Sequence, residues 1–182
     1  MILHLKYLIF RFANFIRNPN NPNYKLMSIR QKLLDVGVYY LFFSFVVCTY
    51  FGLIILVLEE LHVVNELEHV YKNHNLWKRA LGAIILAPIL EEALFRFPIG
   101  RLRMKPWFRW LFYSSALIFG WIHFFNYQLV TSNYMFFPLI TLPQTFFGFL
   151  LGYIRMLYGF WFAVMLHLLY NALGIGLSFI FD

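Results

Sequence analysis

Glu91 and Glu92 are the only acidic residues between Glu68 and Asp182, and they stand side by side in an otherwise apolar stretch. A charge at the centre of a membrane helix costs about 2.5–3.5 kcal/mol on insertion scales, so such residues call for a named partner and a task. Arg96 is one partner: four residues after Glu92, it lies on the same helical face and can pair with it. Glu91 points about 100° around the helix from Glu92 and needs polar neighbours of its own. Two adjacent carboxylates in low dielectric resist double ionisation, which suits a group that must accept and return a proton. Pro88 cannot donate to the Ile84 carbonyl, so the helix is expected to loosen just ahead of the acid pair, where water could enter.

His123 and His167 are the histidines inside apolar stretches. Asn171 follows His167 by four residues, so an imidazole and a carboxamide are expected to point into one cavity. A carboxamide N–H there suits a developing oxyanion. Taken singly, a membrane histidine is more often a hydrogen-bonding member of the bundle, and Glu92 with Arg96 would be an ion lock. The ion lock leaves Glu91 unexplained, and two imidazoles joined by an acid pair shift the balance towards a catalytic group. His62, His69 and His74, at spacings of seven and five, make no compact ligand set and read as solvated side chains. Neither an HExxH zinc motif, a phosphate-binding glycine loop nor a Gly-x-Ser-x-Gly elbow is present.

These groups must be positioned by membrane helices. The 182 residues are 62% apolar and only 13% charged, against about 45–50% and about 25% in a soluble domain, which excludes a water-soluble globule. The fold expected is all-α: one membrane-embedded domain over residues 1–182, a helical bundle of about five spans with an amino-terminal interfacial amphipathic helix. Residues 1–33 form the interfacial or cytoplasmic segment, its basic residues scattered among apolar ones and followed by an Asn/Pro linker from Asn18 to Asn23. Val36 to Leu58 carries no charge over 23 residues and is long enough to cross. Ala80 to Gly100 is the second span. Trp110 to Ile154, uncharged over 45 residues, is long enough for two, turning at Asn126 to Asn133. Met156 to Phe181 is the last.

At the helical rise Glu91 lies about 16 Å below one surface and His167 about 14 Å from the other, so both sit near mid-membrane, while His123 comes out shallower. Gly148 and Gly152 read as a small-xxx-small packing face. Trp107, Trp110, Tyr127 and Tyr134 read as interface anchors. Cys48 is the single cysteine, so no disulfide staples the fold. The net charge of +7 is read as lipid-facing loop charge rather than as a nucleic-acid surface.

Three short patterns stand in order along the chain: Glu91-Glu92-Ala93-Leu94-Phe95-Arg96 (EExxxR), Phe119 to His123 (FxxxH) and His167 to Asn171 (HxxxN). The ordered set resembles the CPBP (CAAX protease and bacteriocin-processing, or Abi) family of intramembrane endopeptidases and covers a protease-like core over residues 80–181. The resemblance implies a membrane protease with its site in a water-filled cavity, acting on a peptide or protein substrate within the bilayer. It implies Glu91 as general base, His123 as a group polarising the attacking water, His167 and Asn171 as oxyanion partners, and Glu92 and Arg96 as residues that orient them. Metal-free activation, with no cofactor, is favoured; the alternative is zinc held by Glu91, His123 and His167 with an open position, although Glu91 would then be ligand or base, hardly both.

Two rival readings use the same residues. One is a bis-histidine haem protein with His123 and His167 as axial ligands; the other is a non-catalytic immunity or scaffold protein of the same fold. Orientation follows from loop charge. Eleven Lys and Arg lie on the amino-terminal side of the membrane and three on the other, which places the amino terminus in the cytoplasm. A reporter that works only in the cytoplasm, fused at the amino terminus, should therefore be active, and one fused at Asp182 silent.

Overall fold

The computed structural model describes residues 2–19, 27–68, 70, 80–128 and 131–181, without the side chains of 131 and 178–181. His69, His74, most of the Asn/Pro linker, the basic residues Lys72, Lys78 and Arg79, and Asp182 lie outside the described residues. Six main helices form one bundle, with no strand among the described residues. They are α1 (Ile2–Arg17), α2 (Ile29–Glu60), α3 (Ala87–Leu102), α4 (Phe108–Ile122), α5 (Leu142–Leu157) and α6 (Phe160–Phe181).

The all-α membrane bundle is the expected one. Among the described residues three segments are long and apolar enough to cross a membrane by themselves: Ile29–Glu60, Ser132–Leu157 and Phe160–Leu177. They correspond to the first, fourth and fifth expected spans. The other two differ for visible reasons. Helix α3 carries Glu91, Glu92, Arg96 and Arg101, and α4 has only 15 residues before its backbone tightens into a 3₁₀ turn at His123–Asn126.

Helix α1 packs its inner face onto the bundle. Leu8, Phe12 and Phe15 are buried, with Phe12 edge-on to Tyr153 at 5.4 Å and Phe15 edge-on to Phe112 at 5.3 Å. Tyr113 and Tyr40 donate their hydroxyls to the carbonyls of Ile16 and Leu8. Ile2, Leu3, Tyr7 and Phe10 remain exposed on its outer side, an apolar surface suited to the lipid interface. Helix α2 is capped by Ser28, whose Oγ accepts from Gln31 N. It widens into a π turn at Asp35–Tyr40. There the fully buried Asp35 accepts from His4 at 2.8 Å and from the Tyr158 hydroxyl at 3.1 Å.

A second π turn, Gly82–Leu86, leads into α3, with Pro88 in the first turn of that helix. The loosening expected ahead of the acid pair is this turn. Farther along, Pro98 sits inside α3 and withholds one N–H. The carbonyls around it take bonds from neighbouring helices: Ser115 Oγ donates to Phe95 O and Arg155 Nε to Arg96 O. Gly100 leaves the slot in which the Arg155 guanidinium lies.

Helices α4 and α5 are pressed together along the expected small-residue face. A Cβ at Gly148 would meet Ala116 O and the Phe119 ring at 2.9 Å, and one at Gly152 would meet Phe112 at 2.8 Å. Gly120 of α4 is as tight, with Thr145 Cα and N 2.7 Å from its Cβ position. Backbone stands in that place and cannot swing aside. Gly120→Ala should therefore lower stability by about 1–3 kcal/mol in reversible unfolding in detergent. Gly52→Ala, with nothing within 4 Å, should leave it unchanged.

Candidate active site

Helix α3 projects Glu91, Glu92 and Arg96 inward, and α6 brings His167 to meet them. Glu92 and Arg96 have no exposed surface, and His167 has 3%. Arg96 Nε lies 3.4 Å from Glu92 Oε2, the i, i+4 pair expected. The guanidinium is stacked 4.3 Å from the Phe119 ring centroid, so an aromatic face supplies part of what water would give it. Its Nη1 and Nη2 have no hydrogen-bond partner among the described residues. The other carboxylate oxygen, Glu92 Oε1, lies 3.1 Å from His167 Nδ1.

Glu91 and His123 are more open, at 29% and 21% side-chain exposure. His123 is the first residue past α4, and its Nδ1 lies 2.7 Å from Phe119 O. A carbonyl only accepts, so Nδ1 carries the hydrogen and, in the neutral ring, Nε2 carries the lone pair. The same logic holds for His167, whose Nδ1–H is taken by the carboxylate of Glu92. Both Nε2 atoms then face Glu91 Oε2 at 3.8 Å. That oxygen is buried and without a hydrogen-bond partner among the described residues. Three acceptors converge with no donor between them.

Such a set wants a species that brings positive charge or two hydrogens, and a water molecule supplies two O–H groups. A cation would also suit the donor atoms, each ring being held through Nδ1 as metal-bound histidines are. No group of three or more His, Cys, Asp or Glu side chains is spaced as a ready metal site among the described residues.

Five of the six expected site residues are thus brought together: Glu91, Glu92, Arg96, His123 and His167. His123 joins them because the 3₁₀ turn carries the chain on past the end of α4. The sixth, Asn171, reaches the chain just ahead of them: its Nδ2 donates to Ala83 O at 2.8 Å, in the π turn that leads into α3. A widened turn ahead of a proline leaves carbonyls without their usual helical partners, and in an apolar interior each must find a donor. Phe119 was quoted only as the start of a pattern. In the structure its carbonyl fixes His123, its ring covers Arg96, and it lies 5.7 Å from the His167 ring. Arg155 stands in the sequence between two long uncharged stretches, and its bond to α3 has no sequence signal.

The family model described as type II CAAX prenyl endopeptidase, Rce1-like, matches residues 73–173, more than half of the chain. The chain belongs to this family. No curated protein and no solved structure matches it. The Rce1-like family lies within the CPBP group that the three patterns indicated, and it is a family of proteases. The matched range holds all six expected site residues. Together with the three crossing helices, membership makes this an integral membrane protein of protease type.

The buried pair has a measurable signature. Removing one partner from a buried ion pair typically costs about 3–5 kcal/mol, whereas replacing both with apolar groups is often near neutral. Arg96→Met should therefore destabilise the protein by about 3–5 kcal/mol, and Arg96→Met combined with Glu92→Leu by clearly less, in thermal or denaturant unfolding.

Proposed function

We propose that the chain is an intramembrane endopeptidase that hydrolyses a peptide bond with a water molecule held by Glu91, His123 and His167. The observation that carries this reading is the convergence of both Nε2 atoms on Glu91 Oε2 at 3.8 Å. One water in that position donates one hydrogen to the carboxylate and the other to an imidazole, leaving its oxygen lone pairs free towards a carbonyl carbon.

Glu91 takes the proton as the water attacks. His123, its ring turned by the bond to Phe119 O, polarises the same water. The tetrahedral intermediate carries its charge on the former carbonyl oxygen. His167 takes a proton from solvent at Nε2 before the attack and donates it as a hydrogen bond to that oxygen; the imidazolium is stabilised by Glu92 at its other nitrogen and keeps the proton when the amine leaves. Glu92 and Arg96 do not touch the substrate; they hold the ring and its charge in place. Glu91 then returns its proton to the departing amine. Asn171 supports the reaction from α6 by fixing the turn from which α3 and its acids begin.

The substrate is a peptide segment presented within the membrane, from a membrane-associated or secreted chain. The family model is described as a CAAX prenyl endopeptidase, and the reaction drawn here needs only an amide bond delivered beside Glu91. Were zinc bound, Glu91, His123 and His167 would be its ligands and it would supply Lewis acidity.

The test is a cleavage assay in defined lipid, with and without chelator. Glu91→Gln keeps the size and a hydrogen-bonding side chain but loses the base. It should insert and fold as wild type while kcat falls about 10²–10⁴-fold, and chelator should leave the wild-type rate unchanged. Cleavage by Glu91→Gln at the wild-type rate overturns the reading, and loss of activity on chelation moves it to the metal form.

A further inference from the structure

His123 differs from the other site residues in how it is held. Glu91, Glu92, Arg96 and His167 ride on helices. His123 opens a single 3₁₀ turn that ends at Asn126, so its place depends on whatever braces that turn from outside.

The brace is the chain that follows α2. Phe124 is buried with Val64 and Ile140, its ring edge-on to Phe137 at 4.9 Å. Val70 N donates to Asn126 O at 2.8 Å, and Gln128 N donates to Glu68 O at 2.7 Å. These two opposed bonds form one rung of an antiparallel ladder. Leu67 N donates to Glu59 Oε1, tying the same segment to the end of α2.

Asn133 locks this arrangement. It is fully buried; its Oδ1 accepts from Asn65 N at 2.9 Å and its Nδ2 donates to Asn65 O at 3.1 Å. A carboxamide carries an acceptor and a donor side by side, so this one side chain pairs with both backbone groups of a residue as a neighbouring strand would. Asn65 Nδ2 also donates to Ser132 Oγ, at the surface. Asn65 lies before the matched range of 73–173, so the clasp joins a part of the chain outside the family model to the Thr131–Phe136 turn, the next along the chain from the one that bears His123.

We propose that Asn133 is a positioning residue for His123: by clasping Asn65 it holds the 62–70 segment against the 123–128 turn and keeps the His123 ring aimed at Glu91. The proposal rests on the reading of His123 as a water-polarising group. A shift of about 1 Å in such a group can cost about 10²-fold in rate. Asn133 is fully buried and its carboxamide is taken up by Asn65, so its loss should act on kcat.

The experiment compares the full-length protein in lipid with Asn133→Ala, Asn133→Asp, Asn65→Ala and His123→Ala, measuring kcat, KM and backbone hydrogen exchange. Asn133→Ala should lower kcat about 10- to 100-fold with KM within about twofold. It should also speed exchange at Val70 and Gln128 while α3 and α6 exchange as in wild type. Asn133→Asp keeps the bond from Asn65 N–H and loses the one to Asn65 O, and should fall between. Asn65→Ala keeps both backbone partners and should stay close to wild type. A wild-type kcat in Asn133→Ala beside an inactive His123→Ala overturns the positioning role alone. Faster exchange spread over the whole bundle, or an equal loss in Asn65→Ala, overturns it too. Full activity in His123→Ala overturns the reading on which the proposal rests.

Discussion

A carboxylate and a guanidinium sealed away from water inside a membrane bundle have no inexpensive alternative to one another. Glu92 and Arg96 are in that position, and much of the molecule answers to it. Their separation by one helical turn keeps both charges on one face of α3. The face of Phe119, from α4, covers the guanidinium. His167, from α6, takes the carboxylate oxygen that Arg96 leaves free. Arg155, from α5, donates to the carbonyl of Arg96 itself. Four helices are thus fixed around one ion pair, and the more open Glu91 is carried on the rigid face beside it.

Close packing makes that convergence possible. In lipid there is little hydrophobic drive between helices, so association depends on backbone approach and on satisfied polar groups. Gly120, Gly148 and Gly152 let α4 and α5 meet at backbone distance, which brings the Phe119 carbonyl and the start of the His123 turn over the site. The two π turns serve a related end. Each opens a helix where another element inserts a polar group: Asn171 onto Ala83 O at the head of α3, and the His4 and Tyr158 side chains onto Asp35 in α2. A regular helix would bury those groups unpaired or point them elsewhere.

What the sequence made legible follows from the range of the interactions. The bundle, the Glu92–Arg96 pair and the small-residue face rest on local periodicity and on the cost of charge in hydrocarbon, both readable from spacing. The convergence of His123 with Glu91 was legible only as an ordered set of patterns, because helix length alone left His123 too shallow. The 3₁₀ turn that corrects this has no strong local signal. For Asn171, i, i+4 spacing gives the face of its own helix and says nothing of the Ala83 carbonyl it bonds in the turn ahead of α3. Nothing local marks the partner of Arg155 either, which lies 59 residues away in sequence. Span counting was least secure where function intrudes, in α3, whose charges break the apolar run they depend on.

The division of labour along the chain is uneven. The acids, imidazoles and Asn171 fall within residues 73–173, yet the core that holds them does not. Leu8, Phe12 and Phe15 of α1 and Val36, Tyr40 and Cys48 of α2 belong to the same buried cluster as Ile99, Phe112 and Leu150. The Tyr40 hydroxyl is hydrogen-bonded to that of Tyr153 at 2.8 Å, tying α2 to α5 in the middle of that cluster. A reacting geometry needs side chains held within fractions of an ångström by what lies behind them. In this chain the amino-terminal third builds part of that backing wall, by aromatic packing against α5 and by the segment clasped to the His123 turn. The proposed chemistry, carried on α3, α6 and the turn after α4, is therefore supported from α1, α2 and α5, and the precision of the site is a property of the whole bundle rather than of its motifs.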